Sequence, residues 1–221
     1  CAGDPATKTT DPRVDSDADA DADADSDSDA DVDADSDTDA DADSDADTDP
    51  DAAPVVGDLV VTEIMADPLA VDGDFGEYVE LTSTATHGLD LAGLELADDD
   101  GTGFSVVGTW ILAPGERAVF APSADPLVNG GLTVDYTYDV GELKLGNEGD
   151  TVTISIGGDL LDAVVYDPVD AGWPVVEGAS SSLDPDSTDP EDNDDPDSWC
   201  SATAPYGDGD HGSPGDPNEE C

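Results

Sequence analysis

The chain has 221 residues, in which 58 Asp or Glu stand against 4 Lys or Arg and 2 His, for a formal charge of −54. A surface this negative repels phosphate backbones and has almost no cations to displace their counterions, which argues against nucleic acid as a partner and against anionic membrane surfaces. Apolar residues make up 37%, enough for one core but not for a chain packed from end to end, and no run approaches the roughly 18 apolar residues of a transmembrane helix.

Taken in chain order, the first segment carries charge and little else. A sequence opening on Cys1 resembles a mature bacterial lipoprotein, whose N-terminal Cys bears the lipid; a cloning artefact is the alternative. Acyl chains contribute about 0.8 kcal/mol per buried methylene, and two or more chains give a stable anchor where one does not. This reading expects a membrane contact through Cys1 and a place in the cell envelope, at the outer membrane or cell surface. From Asp15 to Asp51 every odd position is Asp, 19 in 37 residues, with mostly Ala, Ser and Thr between them. On a strand these Asp would align on one face about 6.6 Å apart, each neighbouring pair repelling by about 0.6 kcal/mol in water, and the other face holds nothing large to bury in return. Residues 1–54 are therefore expected to form a disordered, self-repelling tether with a limit on the order of 110 Å. A solvated stalk fits better than a calcium sponge, since the tract has neither the Gly nor the closing Glu of an EF-hand loop.

After Pro54 the texture changes. Leu59, Val61 and Ile64, then Tyr78, Val79 and Leu81, then Leu89, Leu91, Leu94 and Leu96 lie in short β-rich runs. Further runs follow at Phe104 to Val107, Ala118 to Ala121, Leu132 to Tyr138, Leu143 to Leu145, Val152 to Ile156 and Leu160 to Tyr166. Turn dipeptides such as Asp72-Gly73, Asp100-Gly101, Asn129-Gly130 and Gly157-Gly158 separate them. Many short strands with no helical periodicity beyond a turn predict an all-β antiparallel sandwich or barrel over 55–221. From Ala171 onward Pro, Asp, Ser and Gly dominate, but Trp173, Leu183, Trp199 and Tyr206 are spaced through the stretch and predict an ordered, loop-rich tail that wraps the sandwich. In an exported chain Cys200 and Cys221 form a disulfide and leave Cys1 as the odd cysteine; the closed loop of about 20 residues is stabilising by roughly 3 kcal/mol. Two free thiols are the alternative.

Several blocks then resemble one family in order. Val60-Val61-Thr62-Glu63-Ile64-Met65-Ala66-Asp67-Pro68, Gly76-Glu77-Tyr78-Val79-Glu80-Leu81 and Leu89-Asp90-Leu91-Ala92-Gly93-Leu94-Glu95-Leu96 resemble the opening of bacterial lamin-tail domains. Leu112-Ala113-Pro114-Gly115-Glu116 is similar to the family's turn before its central strand, and Leu145-Gly146-Asn147-Glu148-Gly149-Asp150-Thr151-Val152-Thr153-Ile154 to its most recognisable block. Asp162-Ala163-Val164-Val165-Tyr166, Trp173-Pro174, Gly178-Ala179-Ser180, the stretch from Asn193 to Cys200 and that from Gly212 to Asn218 complete the order, so the resemblance spans residues 55 to about 218. It implies an immunoglobulin-like β-sandwich and no catalytic pair. Tyr78 and Leu94 depart from it, standing where the family often has Trp.

The residues themselves give reasons for some of these blocks. Gly146 and Gly149 flank Asn147, types that tolerate positive φ, so a tight turn can deliver Asp150 into a new strand. Gly93 interrupts a leucine-rich run and fits a bulge or a bend between sheets. Glu63, Glu77 and Glu80 lie beside apolar residues in early strands, and solvent-facing positions account for them better than paired carboxylates in a cleft. The sequence contains no nucleophile elbow, zinc-protease helix, Cys-x-x-Cys or phosphate loop. His87 and His211 are expected in exposed loops, Ser180, Ser181 and Ser182 cluster by count only, and Arg117 and Lys144 are expected in ion pairs.

Calcium takes six to eight oxygens, typically from acidic loops. The densest candidates are Asp184, Asp186, Asp189, Asp192 and Asp194, with no helix to hold them apart; surplus carboxylate that keeps a protein hydrated in saline is the competing explanation. The sequence thus points to a non-catalytic binding or structural module, lipid-anchored and displayed on an acidic tether. Its expected partners are the membrane through Cys1 and a cell-surface or extracellular protein or polysaccharide. A calcium-dependent adhesin and an accessory domain of an extracellular hydrolase system are the alternatives.

Overall fold

Runs of four to eight apolar and β-branched residues bounded by glycine turns cannot bury themselves, and here they pair into sheets. The computed structural model describes residues 51–71, 73–98 and 101–221. Cys1 and the tether, as far as residue 50, lie outside the described residues. In chain order the strands are β1 (Asp51–Ala52), β2 (Leu59–Met65), β3 (Tyr78–Ser83), β4 (Gly88–Asp90), β5 (Leu94–Ala97), β6 (Gly103–Ser105), β7 (Ile111–Leu112) and β8 (Arg117–Ala121). They continue as β9 (Tyr136–Thr137), β10 (Asp150–Ile156), β11 (Asp159–Tyr166), β12 (Ser181–Leu183), β13 (Trp199–Ser201), β14 (Pro205–Tyr206) and β15 (Asp210–His211). One helical turn, α1 (Gly73–Gly76), precedes β3.

Two sheets carry the architecture. The larger has the order β13-β12-β2-β3-β8-β9 and the smaller β11-β10-β5-β6, while β1-β4-β7 and β14-β15 are minor additions. Leu59, Val61, Ile64, Val79, Leu81, Ala118 and Phe120 of the larger sheet pack in one buried cluster with Leu94, Leu96, Phe104, Val152, Ile154 and Val164 of the smaller. The protein is therefore an antiparallel β-sandwich, as the strand pattern predicts. Gly93, at φ +83°, stands between β4 and β5, where the chain passes from one sheet to another. Gly149 and Asn147 make the turn that delivers Asp150 into β10, with the Gly146 N–H donating to the Asp150 carboxylate at 2.9 Å.

Of two expected strands one is shortened and the other is absent among the described residues. Leu132 to Tyr138 yields only β9, and Leu143 to Leu145 yields none. Burial there does not need a ladder: Asn129 Nδ2 donates to the Ser123 and Leu132 carbonyls while its Oδ1 accepts from the Gly131 and Leu132 N–H groups, so one side chain replaces the ladder around the turn. Asp51 and Ala52, in turn, form a parallel pair with Gly88 and Leu89, four residues ahead of the expected boundary at 54/55. An exposed backbone edge accepts a short strand whatever its side chains.

The tail is more than a wrapping. Its residues supply β12 and β13 to the larger sheet, pairing Ser181 with Ile64 and Leu183 with Trp199. Farther on it crosses the loop after Asn129, where Gly131, at φ +88°, meets the Gly207 Cα at 2.8 Å from where a β-carbon would stand, too close for any side chain. Cys200 and Cys221 are joined as a disulfide, with Cα atoms 5.6 Å apart. Placement in the sandwich makes a direct prediction. Leu96→Ala, in the shared core at 0% exposure, should lower stability by about 2–5 kcal/mol in urea unfolding, whereas Leu160→Ala, on β11 at 55% exposure, should change it by less than about 0.5 kcal/mol.

Candidate functional site

All seven residues of β2 and all six of β3 are buried, on both faces. This overturns the expectation that Glu63, Glu77 and Glu80 face solvent. Glu63 and Glu80 are 0% exposed, and Glu77 is buried beside them in sequence.

A bulge puts the pair together. Val61 is opposite Leu81 and Glu63 opposite Glu80, so Thr62 is an extra residue in β2. Were Val61, Thr62 and Glu63 in regular, unbulged pairing, the period of two would turn Glu63 to the face of Val61, into the shared core; with the bulge Glu63 turns outward. Residues directly opposite in an antiparallel pair share a face, so two carboxyl groups end side by side. The Thr62 hydroxyl donates to Glu80 Oε1 at 3.0 Å and lies 2.8 Å from the Thr82 hydroxyl.

The chain's own later segments close over this face. Glu63 Oε1 accepts from the Tyr78 hydroxyl at 2.9 Å, from the Ser213 N–H at 2.8 Å, from the Ser182 hydroxyl at 3.3 Å and from the Ser180 hydroxyl. Glu80 Oε2 accepts from the Gly215 N–H at 2.7 Å. Asn218 Nδ2 donates to the Thr62 carbonyl at 2.8 Å and the Leu183 carbonyl at 2.9 Å, and the Cys221 N–H to Asp184 Oδ2 at 3.1 Å. Two members of the serine cluster, Ser180 and Ser182, are thus donors to Glu63, while the Ser181 hydroxyl donates to the Pro174 carbonyl. Beside it Met65, Tyr78, Val119, Ala121 and Leu132 make a second, smaller apolar cluster on the outer face, with Tyr206 packed edge-on to Tyr78 at 6.0 Å.

Burial, and then the neighbouring Glu63 charge, push the Glu80 carboxyl up to about 8; the Arg117 Nε, 3.4 Å away, opposes them and is outweighed. Near neutrality Glu80 is therefore mainly a neutral acid. The Tyr78 hydroxyl is held well above the usual phenol range, first by burial and second by Glu63. Glu77 is pushed up to about 7, chiefly by burial, although it accepts from the Leu145 N–H at 3.1 Å and has Lys144 nearby. Lys144 itself pairs with Asp74 at 2.8 Å.

A second buried link joins the two sheets. Asp162 Oδ2 on β11 accepts from the Val61 N–H at 2.8 Å and from Asn193 Nδ2 at 2.7 Å, and Asn193 in turn accepts from the Trp199 indole N–H through its carbonyl at 2.8 Å. Burial raises the Asp162 pKa, against the hydrogen bonds donated by Val61, Asn193 and Ala163. Neither Asp162 nor Asn193 stands out in the sequence.

The calcium candidates are not brought together. Asp184 accepts from the Asp186 and Cys221 N–H groups and Asp189 from the Glu191 N–H, as turn-forming side chains do, while Asp186, Asp192 and Asp194 are exposed. Among the described residues no group of three or more His, Cys, Asp or Glu side chains converges in a way that could hold a metal ion. Within the acidic run Asn193 is the buried residue, bonded to Asp162 and to the Val61 carbonyl.

Compared with known proteins, residues 52–168, more than half of the chain, match the family model of the Lamin Tail Domain. No curated protein matches the chain.

The carboxyl pair predicts a pH dependence with a defined sign. Folded Glu80 keeps its proton up to about pH 8, whereas the unfolded carboxyl releases it near 4.5, so between those values the folded state binds more protons and stability falls as pH rises, levelling above 8. In urea unfolding from pH 5 to 9, Glu80→Gln should show a shallower decline than the wild-type chain over that window; parallel curves would contradict the buried acid. The clamp on the covering segment predicts that reducing the disulfide, or replacing both cysteines by Ala, lowers stability by about 3 kcal/mol in the same assay.

Proposed function

Since the chain belongs to the lamin tail domain family, an immunoglobulin-like and non-enzymatic one, we propose that it is a binding or structural module that does no catalysis and is held at the outer membrane or cell surface by a lipid on Cys1 and an acidic tether. The family supports the coarser part, a structural or binding module. The observation that carries the reading is the use made of Glu63 and Glu80: this buried carboxyl pair is occupied by backbone and hydroxyl donors of the chain's own C-terminal segment, so its chemistry holds the domain together. The disulfide supports an oxidising compartment. A tract with Asp at every second position supports a spacer, because its self-repulsion favours extension.

Labelling and protease access test the display. The full chain, expressed with an export signal in a bacterial host fed an alkyne-tagged fatty acid, should take up the label, Cys1→Ala should abolish it, and protease added to intact cells should remove the domain. A chain that stays unlabelled, or a labelled chain protected from protease in intact cells, overturns the anchored display.

A further inference from the structure

Four aromatic rings from three segments stack in one file. Trp110 lies over Tyr136 with ring centroids 6.0 Å apart and planes 9° from parallel, Tyr136 over Phe104 at 5.8 Å and 13°, and Phe104 over Tyr138 at 4.5 Å and 10°. Phe120 of β8 packs against Trp110 and Tyr136 at a tilt, 5.5 and 5.9 Å away, and ties the file to the core. The Tyr136 hydroxyl accepts from the Val107 N–H at 3.0 Å and donates to the Ser105 carbonyl at 3.2 Å, which fixes the middle ring. Both Phe104 and Tyr138 are buried, whereas Trp110, at the end of the file, is only partly so.

Trp110 opens onto a cleft of about 460 Å³ that it shares with Glu116, Arg117, Thr133, Asp135 and Gly215. A second cleft, about 360 Å³, runs along Phe104, Tyr136 and Tyr138 with Ser105, Asp139 and Glu142 at its sides. The polar groups of the first are fixed in place. Glu116 Oε2 accepts from the Ala113 N–H at 3.0 Å and Asp135 Oδ2 from the Val119 N–H at 2.9 Å, which leaves Oε1 and Oδ1 without a partner among the described residues. Arg117 Nε lies 3.4 Å from Glu80 Oε1 at the edge of the cleft. The cleft therefore offers a rigid aromatic wall, a cationic donor and two fixed carboxylate acceptors.

Each ligand class meets a different balance. A polyanion is repelled by a chain of charge −54, and a cationic side chain can pair with the two carboxylates but has no acceptor to offer the Arg117 guanidinium. A polyhydroxylated neutral ring has both donors and acceptors to match the two carboxylates and the guanidinium, and its C–H face suits the electron-rich face of an indole. We propose that this cleft binds a neutral polysaccharide, one sugar ring against Trp110 and its hydroxyls hydrogen-bonded to Glu116, Arg117 and Asp135; the proposal rests on the reading of the domain as a binding module.

Affinity electrophoresis of the purified full chain tests it, in native gels containing laminarin, dextran or mannan as neutral polymers and polygalacturonate as the anionic one. At least one neutral polymer should retard the chain, and Trp110→Ala should weaken that retardation at least tenfold. Because Trp110 packs on Phe120, a second variant is needed: Thr133→Arg, at an exposed position, fills the cleft and should abolish retardation with an unchanged unfolding midpoint. Retardation in no neutral gel, retardation by polygalacturonate alone, or a Thr133→Arg chain that binds as the wild type does overturns the proposal. The measurement uses no membrane, so its failure leaves the lipid-anchored display standing, and failure of the labelling experiment leaves this cleft untouched.

Discussion

Glu63 and Glu80 lie opposite one another on a covered face of the larger sheet, and two like charges so placed and so buried would repel strongly if both were ionised. The protein meets this constraint in two ways. One carboxyl keeps its proton, and the pair is surrounded by donors: Thr62 within the bulge, Tyr78 beside it, Ser180 and Ser182 around the added strand, and the N–H groups of Ser213 and Gly215. Without the C-terminal segment both carboxyl groups would lose donors that burial makes expensive to lose. The outer face of the sheet and the last segment of the chain are thus one structural unit.

That unit does not coincide with the family match. Residues 52–168 match the family model, but β12, β13 and the covering segment come from beyond it. Gly212 shows how close the cover lies: a β-carbon there would stand 2.5 Å from the Tyr78 hydroxyl and 2.8 Å from Glu63 Oε1. At the same time the Asp162 and Asn193 side chains join β11 to β2 next to the bulge, so the residues that let Glu63 turn outward are also held from the other sheet. The two polar links lie on opposite sides of Val61 and Thr62, and the fold is pinned where its regular pairing is interrupted.

Much of the sandwich was legible because its information is local. Apolar runs and glycine turns located β2, β3, β5, β8, β10 and β11, and Gly93 marked the passage between sheets. The character of the outer face was not legible, because it depends on a one-residue bulge and on a cover more than a hundred residues away. An alternating strand with Glu at intervals reads as half-exposed unless the covering segment is known. Leu132 and Leu143 show the converse: they are buried as the sequence implies, but loops organised by side chains hold them, and apolar content alone does not separate the two. The acidic run is a related case. Many oxygens in one stretch look like a ligand shell, whereas turn geometry engages Asp184 and Asp189 with neighbouring N–H groups.

The span of these contacts has a kinetic side. Ser213 reaches Glu63 across 150 residues of chain, and Asn218 reaches Thr62 across 156. Contacts so distant in sequence close late and slow the folding of β proteins. During synthesis β2 and β3 emerge long before the covering segment, and they must wait with two carboxyl groups and the Met65–Tyr78 patch uncovered until it follows. The strong negative charge of the chain then has a use before the native state exists, since it keeps neighbouring incomplete molecules apart while that face is open.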